Sequence, residues 1–293
     1  MRRVAVFVSI AVMACVLWAQ ARAEEPKRYD LRRLVEEPDV VGDAWREETR
    51  ERLVQRTTAT AGGRVVESTE EVSGVDFTRD QRVVALDESG APSRLSMTYH
   101  RFEVLEPAEQ VEVAGLVVDC TRRGEAWDLT AGGGRAIPAA VHEHLLADLT
   151  AATHAQTLAL CRALFPAAPK AVGESWDVDV SALTRALDFG EGLVRARSRG
   201  RGTLRAASVR DGKEWLKVEH AITLALDAVG GERLQEPMQM QLAFSFELSE
   251  SERNTSSASC AIETRTLLAV EEGVRTELTT RQESTSRMTG LPR

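Results

Sequence analysis

Residues 192–205 read GLVRARSRGRGTLR, and Arg195, Arg197, Arg199, Arg201 and Arg205 all fall at odd positions. On a β-strand alternate residues share a face, so these guanidinium groups would form a cationic ladder on one side. A planar guanidinium matches phosphate, sulfate or carboxylate, and the chemistry on offer is the binding of an anionic ligand. On a wet face the same ladder pairs equally well with Asp and Glu of neighbouring strands. Its register follows from the turn Arg210-Asp211-Gly212. A three-residue loop sets Leu204 across from Val218 and Gly200 across from Ile222, whereas a two-residue Asp-Gly loop sets Arg205 and Arg201 against those aliphatics. Guanidinium buried beside Val and Ile is costly, so the longer loop is expected, with the arginines facing water.

Other reactive residue types form weaker patterns. His142-Glu143-His144 with His154 has the residues of a zinc site but not the spacing, because positions i and i+2 of a helix point to nearly opposite sides. His220 shares the apolar parity of its strand with Val218, Ile222 and Leu224, which fits a core histidine. No G-x-S-x-G elbow is present, and Gly132-Gly133-Gly134 lacks the Lys and Ser/Thr of a phosphate loop. No catalytic residue, metal site or cofactor is expected from these patterns. Cys15 lies in the apolar N-terminal run, leaving Cys120, Cys161 and Cys260, an odd number with no C-x-x-C. At most one internal disulfide is open to them, and small buried thiols are the simpler reading.

The elements that would carry these residues are mostly antiparallel strands. Met238–Leu248 alternates large apolar residues with Gln, Ala, Ser and Glu over its whole length, as a strand with one wet face does. Further strands are expected at Val83–Leu86, Arg94–Leu105, Val111–Cys120, Cys260–Val270 and Val274–Arg281, and on both sides of Gly62-Gly63. Between residues 136 and 167 the period changes. Val141, Leu145 and Leu149 follow Pro138 at helical spacing, and Leu158, Cys161, Leu164 and Phe165 precede Pro166. The phrase PDVVGDAW at Pro38–Trp45 returns as PKAVGESW at Pro169–Trp176, once before each β-rich part. Pro fixes the approach, Gly takes a turn, and Trp is the first large residue to enter the sheet. The expected fold is therefore mainly β (α+β), with two antiparallel, curved β lobes at residues 24–135 and 168–293 joined by a helical connector at 136–167.

The order VVALDESGAPSRL, VAGLVVDCTRRGEAWDLT, LFPAAPKAVGESWDVDV and TLRAASVRDGKEWLKVEHAITLAL, over roughly residues 80–280, resembles an uncharacterised family of exported bacterial β-rich proteins that carry a Val-Gly-acid-x-Trp phrase. The resemblance implies export and a β-rich fold, and it carries no known activity and no catalytic residues.

Export is also read from the N-terminus itself. Arg2 and Arg3 precede the apolar run Val4–Trp18, and Ala21-Arg22-Ala23 offers small residues at a cleavage site, the layout of a signal peptide over residues 1–23. That run is short for a membrane span and no later one replaces it. Val12-Met13-Ala14-Cys15 resembles a lipobox, so the alternative is a lipoprotein anchored through Cys15. The chain holds 37 basic and 45 acidic residues, and the three basic residues of 1–23 would leave with the signal. So acidic a protein is not expected to bind nucleic acid. A periplasmic or extracellular location is expected. The leading functional expectation is a non-catalytic envelope protein that holds an apolar or amphipathic ligand against a curved sheet, with a lipid or an anionic ligand as its expected partner. The alternatives are a structural or partner-binding secreted protein and, behind it, a hydrolase whose site assembles only in three dimensions.

Overall fold

The computed structural model describes residues 26–106, 108–151, 153–187, 189, 192–229, 232–250, 256–271 and 274–292. Residues 1–23 and Cys15 lie outside them. Before the main sheet come a two-residue strand β1 (Arg28–Tyr29) and a short helix α1 (Leu31–Val35). The first half then supplies β2 (Ala44–Ala61), β3 (Arg64–Leu86), β4 (Pro92–Leu105), β5 (Ala108–Gln110), β6 (Leu116–Arg123) and β7 (Ala126–Ala131). Helices α2 (Ala139–Thr150) and α3 (His154–Leu164) follow, close to where the apolar spacing places them. The second half contains β8 (Lys170–Ala171), β9 (Ser175–Asp177), helix α4 (Val180–Ala186), β10 (Arg199–Arg210), β11 (Lys213–Val229), β12 (Glu232–Ser249), β13 (Ser256–Glu271) and β14 (Val274–Gly290).

Strands from both halves enter one antiparallel sheet of 12, ordered β7-β6-β4-β3-β2-β14-β13-β12-β11-β10-β9, with β5 added on β4. The sheet is not closed. The two halves meet where β14 pairs with β2, from Val274 opposite Ala61 to Gly290 opposite Trp45.

Paired residues share a face, so one row across the sheet tells where the core lies. Val218, Phe246, Ala258, Ser286, Thr49, Phe77 and Phe102 form such a row. Its two ends fall in two apolar clusters on one face of the sheet. Leu31, Leu164, Phe165, Trp176 and Leu183 close over Leu204, Val218, Ile222, Leu224, Met240 and Leu242 at one end. At the other, Val141 and Leu145 of α2 close over Phe77, Met97, Tyr99, Phe102, Leu116 and Val118. The alternating apolar residues of Met238–Leu248 are thus mostly core, with Met238, Met240, Leu242 and Leu248 all buried.

The repeated phrase builds the same turn twice. In the first copy Gly42 (φ +94°) donates to Val83 O at 2.9 Å, and Asp43 N–H donates to Val40 O at 2.9 Å. The Asp43 carboxylate accepts from Val40 N–H at 2.9 Å. In the second, Gly173 (φ +88°) donates to Leu204 O at 2.7 Å, and Glu174 N–H to Ala171 O at 3.0 Å. Its carboxylate accepts from Ala171 N–H at 3.2 Å. One residue beyond Val83 and beyond Leu204, both receiving strands carry a bulge. The glycine supplies a left-handed conformation that a side chain would strain, and the acid ties the turn to itself. Trp176 is then delivered into the core, where its Nε1–H donates to Leu164 O at 2.7 Å. Trp45 enters its own cluster only half buried.

Candidate functional site on the open face of the sheet

The arginine ladder is shorter than its parity suggests. Arg195 and Arg197 sit in a 3-10 turn ahead of the strand, because Val194 N–H bonds Ala225 O at 2.8 Å and Arg197 N–H folds back to Val194 O at 3.0 Å. Of the five, Arg199, Arg201 and Arg205 lie on β10 and border the uncovered side, Arg205 at a bulge. Leu204 does pair with Val218 and Gly200 with Ile222, as the cost of burying guanidinium requires. The device differs from the expected one. The turn is a two-residue Asp211-Gly212 loop, with φ of 52° and 75°, and a bulge at Arg205 restores the register.

Gly200 and Gly202 face the core, and Gly202 lies directly under the Trp176 indole. A Cβ on Gly202 would come within 2.2 Å of Trp176 Cε2. Those gaps in the ladder make room for the tryptophan.

On the uncovered side, Asp177, Arg201, Ala221, Ala243, Ala261, Glu283 and Arg52 form one row across seven strands. Three alanines in register leave an exposed apolar floor between charged ends. A depression of about 590 Å³ lies over that floor, with Arg201 and Arg205 at its β10 side and Glu283 at the other. An adjoining one of about 700 Å³ includes Arg199, Gln241, Glu263 and Arg281. A third, about 480 Å³, runs over Ser245, Ser257, Ser259 and Thr285 beside Arg50 and Arg287. The alanines escaped the sequence reading because each is unremarkable on its own strand. The readable signal was Ala at the wet parity of three consecutive strands.

Most arginines of this face are held by carboxylates. Arg205 bonds Glu219 at 2.7 Å and Arg210 bonds Glu247 at 2.8 Å. Arg265 reaches Glu277 at 2.6 Å, Arg275 reaches Glu236 at 2.8 Å, and Arg281 reaches Glu283 at 2.5 Å. Such contacts hold four carboxyls below the usual range, chiefly through hydrogen bonds from Arg205 to Glu219, from Arg210 to Glu247 and from Arg275 to both Glu236 and Glu277. Arg199 and Arg201 make no ion pair among the described residues.

The covered face holds a different polar group. Buried Arg79 donates to Glu47 at 2.8 Å, to Asp148 of α2 at 2.6 Å and to the Tyr99 hydroxyl at 3.4 Å, and its guanidinium stacks over Phe77. The contacts anchor α2 to the sheet. Burial pushes the nearby Glu51 carboxyl up, with Asp148 and Glu47 adding to the shift.

His220 is buried among Phe165, Trp176, Phe244 and Phe246. Its Nε2 lies 3.0 Å from Leu164 O, so Nε2 carries the proton and donates, leaving Nδ1 bare and without a partner among the described residues. Burial lowers its pKa to about 4. His142 and His144 do diverge on α2, His142 exposed and His144 over Phe77 and Phe102. Cys120, Cys161 and Cys260 are free thiols, and burial pushes them up, Cys120 to about 12 and Cys260 to about 11. Such thiols are poor nucleophiles. Among the described residues, no group of three or more His, Cys, Asp or Glu could hold a metal ion, and no helix is long and apolar enough to cross a membrane.

No family model and no curated protein matches the chain. Solved structures with some likeness include Pseudomonas aeruginosa OpdQ, at 5% identity over 85% of this chain and 98% of that one, with a TM-score of 0.22. Ail, the attachment invasion locus protein of Yersinia pestis, is 6% identical over 84% of this chain and 99% of its own, with a TM-score of 0.13. At such TM-scores the likeness carries no argument.

Proposed function

We propose that the protein is a non-catalytic, exported envelope protein that holds an anionic amphipath on the open face of a curved sheet. Arg199 and Arg201 take the anionic head, and Ala221, Ala243 and Ala261 take the apolar part. The observation that carries this reading is the exception to pairing. In an acidic chain the default for an arginine on a wet strand is a cross-strand carboxylate. Arg199 and Arg201 have none among the described residues, as is also true of Arg50, Arg52 and Arg287, but Arg201 is the one of these whose strand neighbour begins the exposed alanine floor, with Arg199 beside it. Small side chains on that floor also let the sheet bend toward it. The Val218–Leu226 and Met238–Leu248 apolar faces are not the ligand surface in this reading, because α1, α3 and α4 pack against them.

Residues 24–135 and 168–293 are two β lobes in this reading, with 136–167 between them. Export rests on the layout of residues 1–23, with an anchor at Cys15 as the variant form, and the family resemblance points the same way.

Titration calorimetry with dodecyl phosphate below its micelle concentration tests the reading. Binding that falls at least tenfold in Arg199→Gln/Arg201→Gln, and is unchanged in Arg135→Gln, an exposed arginine held by Ala114 O in the other half, supports it. No binding, or equal loss in all variants, refutes it.

A further inference from the structure

Large apolar side chains are exposed at Val40, Val41, Val65, Val66, Val172, Val209, Leu268 and Val270. Single exposed valines are ordinary, but four of these lie as two pairs at the tip of one ribbon, with Thr60 and Arg275 between them. Val65 pairs with Thr60, Thr60 with Arg275, and Arg275 with Val270, so Val65 and Val270 share one row of the four strands β3, β2, β14 and β13. Three strand spacings make that row about 14 Å wide. Val66 and Leu268 fall at the register shifts of the two outer strands, beside Val65 and Val270. Their exposures are 63% and 59% on β3, and 49% and 54% on β13.

This cluster caps a projection. β3 pairs with β4 only from Val75 onward, so Arg64–Gly74 pairs with no outer strand among the described residues. β13 pairs with β12 only as far as Arg265, so Thr266–Glu271 makes no ladder on that side among the described residues, although Glu236 of β12 still reaches Arg275 of β14. Residues 62–71 are exposed on both faces of the ribbon, with no helix over them.

We propose that the ribbon tip docks on a lipid surface with neutral or zwitterionic headgroups, placing Val65, Val66, Leu268 and Val270 at the interface. A second copy of the chain is a poor occupant. Four half-exposed aliphatics amount to at most a few hundred Å², well short of the roughly 800 Å² per partner of a stable protein interface. Charge sets the headgroup. Glu67, Glu70 and Glu71 stand behind the tip and outnumber Arg64 at its turn, Arg56 is engaged by Glu70, and Arg275 by Glu236 and Glu277. Depth is limited too. The unpaired N–H and C=O groups along both outer edges cannot enter hydrocarbon, so the tip rests in the headgroup boundary and does not span.

The test places a reporter at the tip. Tryptophan emission of Val66→Trp, read as the difference from the parent chain, is followed with phosphatidylcholine vesicles and with their brominated analogue. A blue shift and quenching are expected, absent from Val209→Trp on a distant turn. Adding Val65→Ser, Leu268→Ser and Val270→Ser should weaken partitioning at least tenfold, and replacing half the lipid with phosphatidylglycerol should weaken it several-fold. No shift with lipid, or quenching untouched by the serines, overturns the proposal. So does a blue shift that appears without lipid as the protein is concentrated, which assigns the tip to a second copy. Tighter binding to phosphatidylglycerol overturns the headgroup assignment. Dodecyl phosphate binding at Arg199 and Arg201 is read separately and stands or falls on its own.

Discussion

Acid should weaken this fold through His220, and the size of the effect follows from its surroundings. In the unfolded chain the imidazole takes a proton near its ordinary value of 6.5, whereas burial among four aromatic rings lowers it to about 4. The unfolded state therefore binds the proton first, and stability falls as pH drops from about 6.5 to about 4, then levels off for this group. A separation of about 2.5 units corresponds to roughly 3 kcal/mol, at about 1.4 kcal/mol per unit. The cost has a visible cause. Protonation puts a second N–H on Nδ1, which has no acceptor within reach among the described residues.

The comparison chain is His220→Met. Met97 holds the corresponding place in the first half, two residues past Leu95 as His220 is two past Val218, so the size suits such a site. Urea unfolding at pH 7 and pH 4 by circular dichroism gives both stabilities. His144, also lowered by burial, and carboxyls such as Glu214, held at about 2 chiefly by Lys27, contribute equally to both chains and cancel. The wild type should lose about 3 kcal/mol more than His220→Met over that interval. Equal losses would mean that His220 is not buried neutral, and the packing described around Leu164 O would be wrong.

Gly202→Ala drives a methyl into the Trp176 indole, and thermal unfolding should show a loss of about 3 kcal/mol, the high end for overpacking. Arg79→Gln leaves Glu47 and Asp148 facing each other with no cation between them. Breaking a buried pair costs about 3–5 kcal/mol, and the part-exposure of Asp148 puts this one near the lower figure by urea unfolding. Asp43→Ala and Glu174→Ala each remove the carboxylate that ties a phrase turn, and each should cost about 1 kcal/mol, additively in the double variant. A large difference between the two would show that the copies do different jobs.

Much of the sheet was legible because period two is a strong signal wherever one side is buried. Met238–Leu248 is the clearest case, a half-wet strand whose large side chains are largely core. The pairs Leu204 with Val218 and Gly200 with Ile222 followed from burial cost alone, though the bulge at Arg205 that delivers them did not. A bulge substitutes one local irregularity for another, and composition does not say which.

Parity misled at Arg195 and Arg197 because a helical turn interrupts the strand there. The joining of both halves into one sheet was invisible. Pairing of β14 with β2 depends on residues more than 200 positions apart, and no local pattern encodes it. The alanine floor and the Arg79 group were missed for the same reason, since each takes its members from separate strands or from a strand and a helix.

That central seam also sets the order in which the molecule can be made. β2 precedes most of the described strands and β14 follows all the others, and their 17 paired positions form only once residues 274–290 have been made. Hairpins within each half close over short loops, whereas the seam closes over a long one and comes at a greater cost in chain entropy. Until it closes, each half exposes one long strand edge, the usual route to pairing with the wrong chain. A growing copy is therefore most vulnerable just before β14 arrives. The arrival of β14, more than formation of either apolar cluster, ends that exposure.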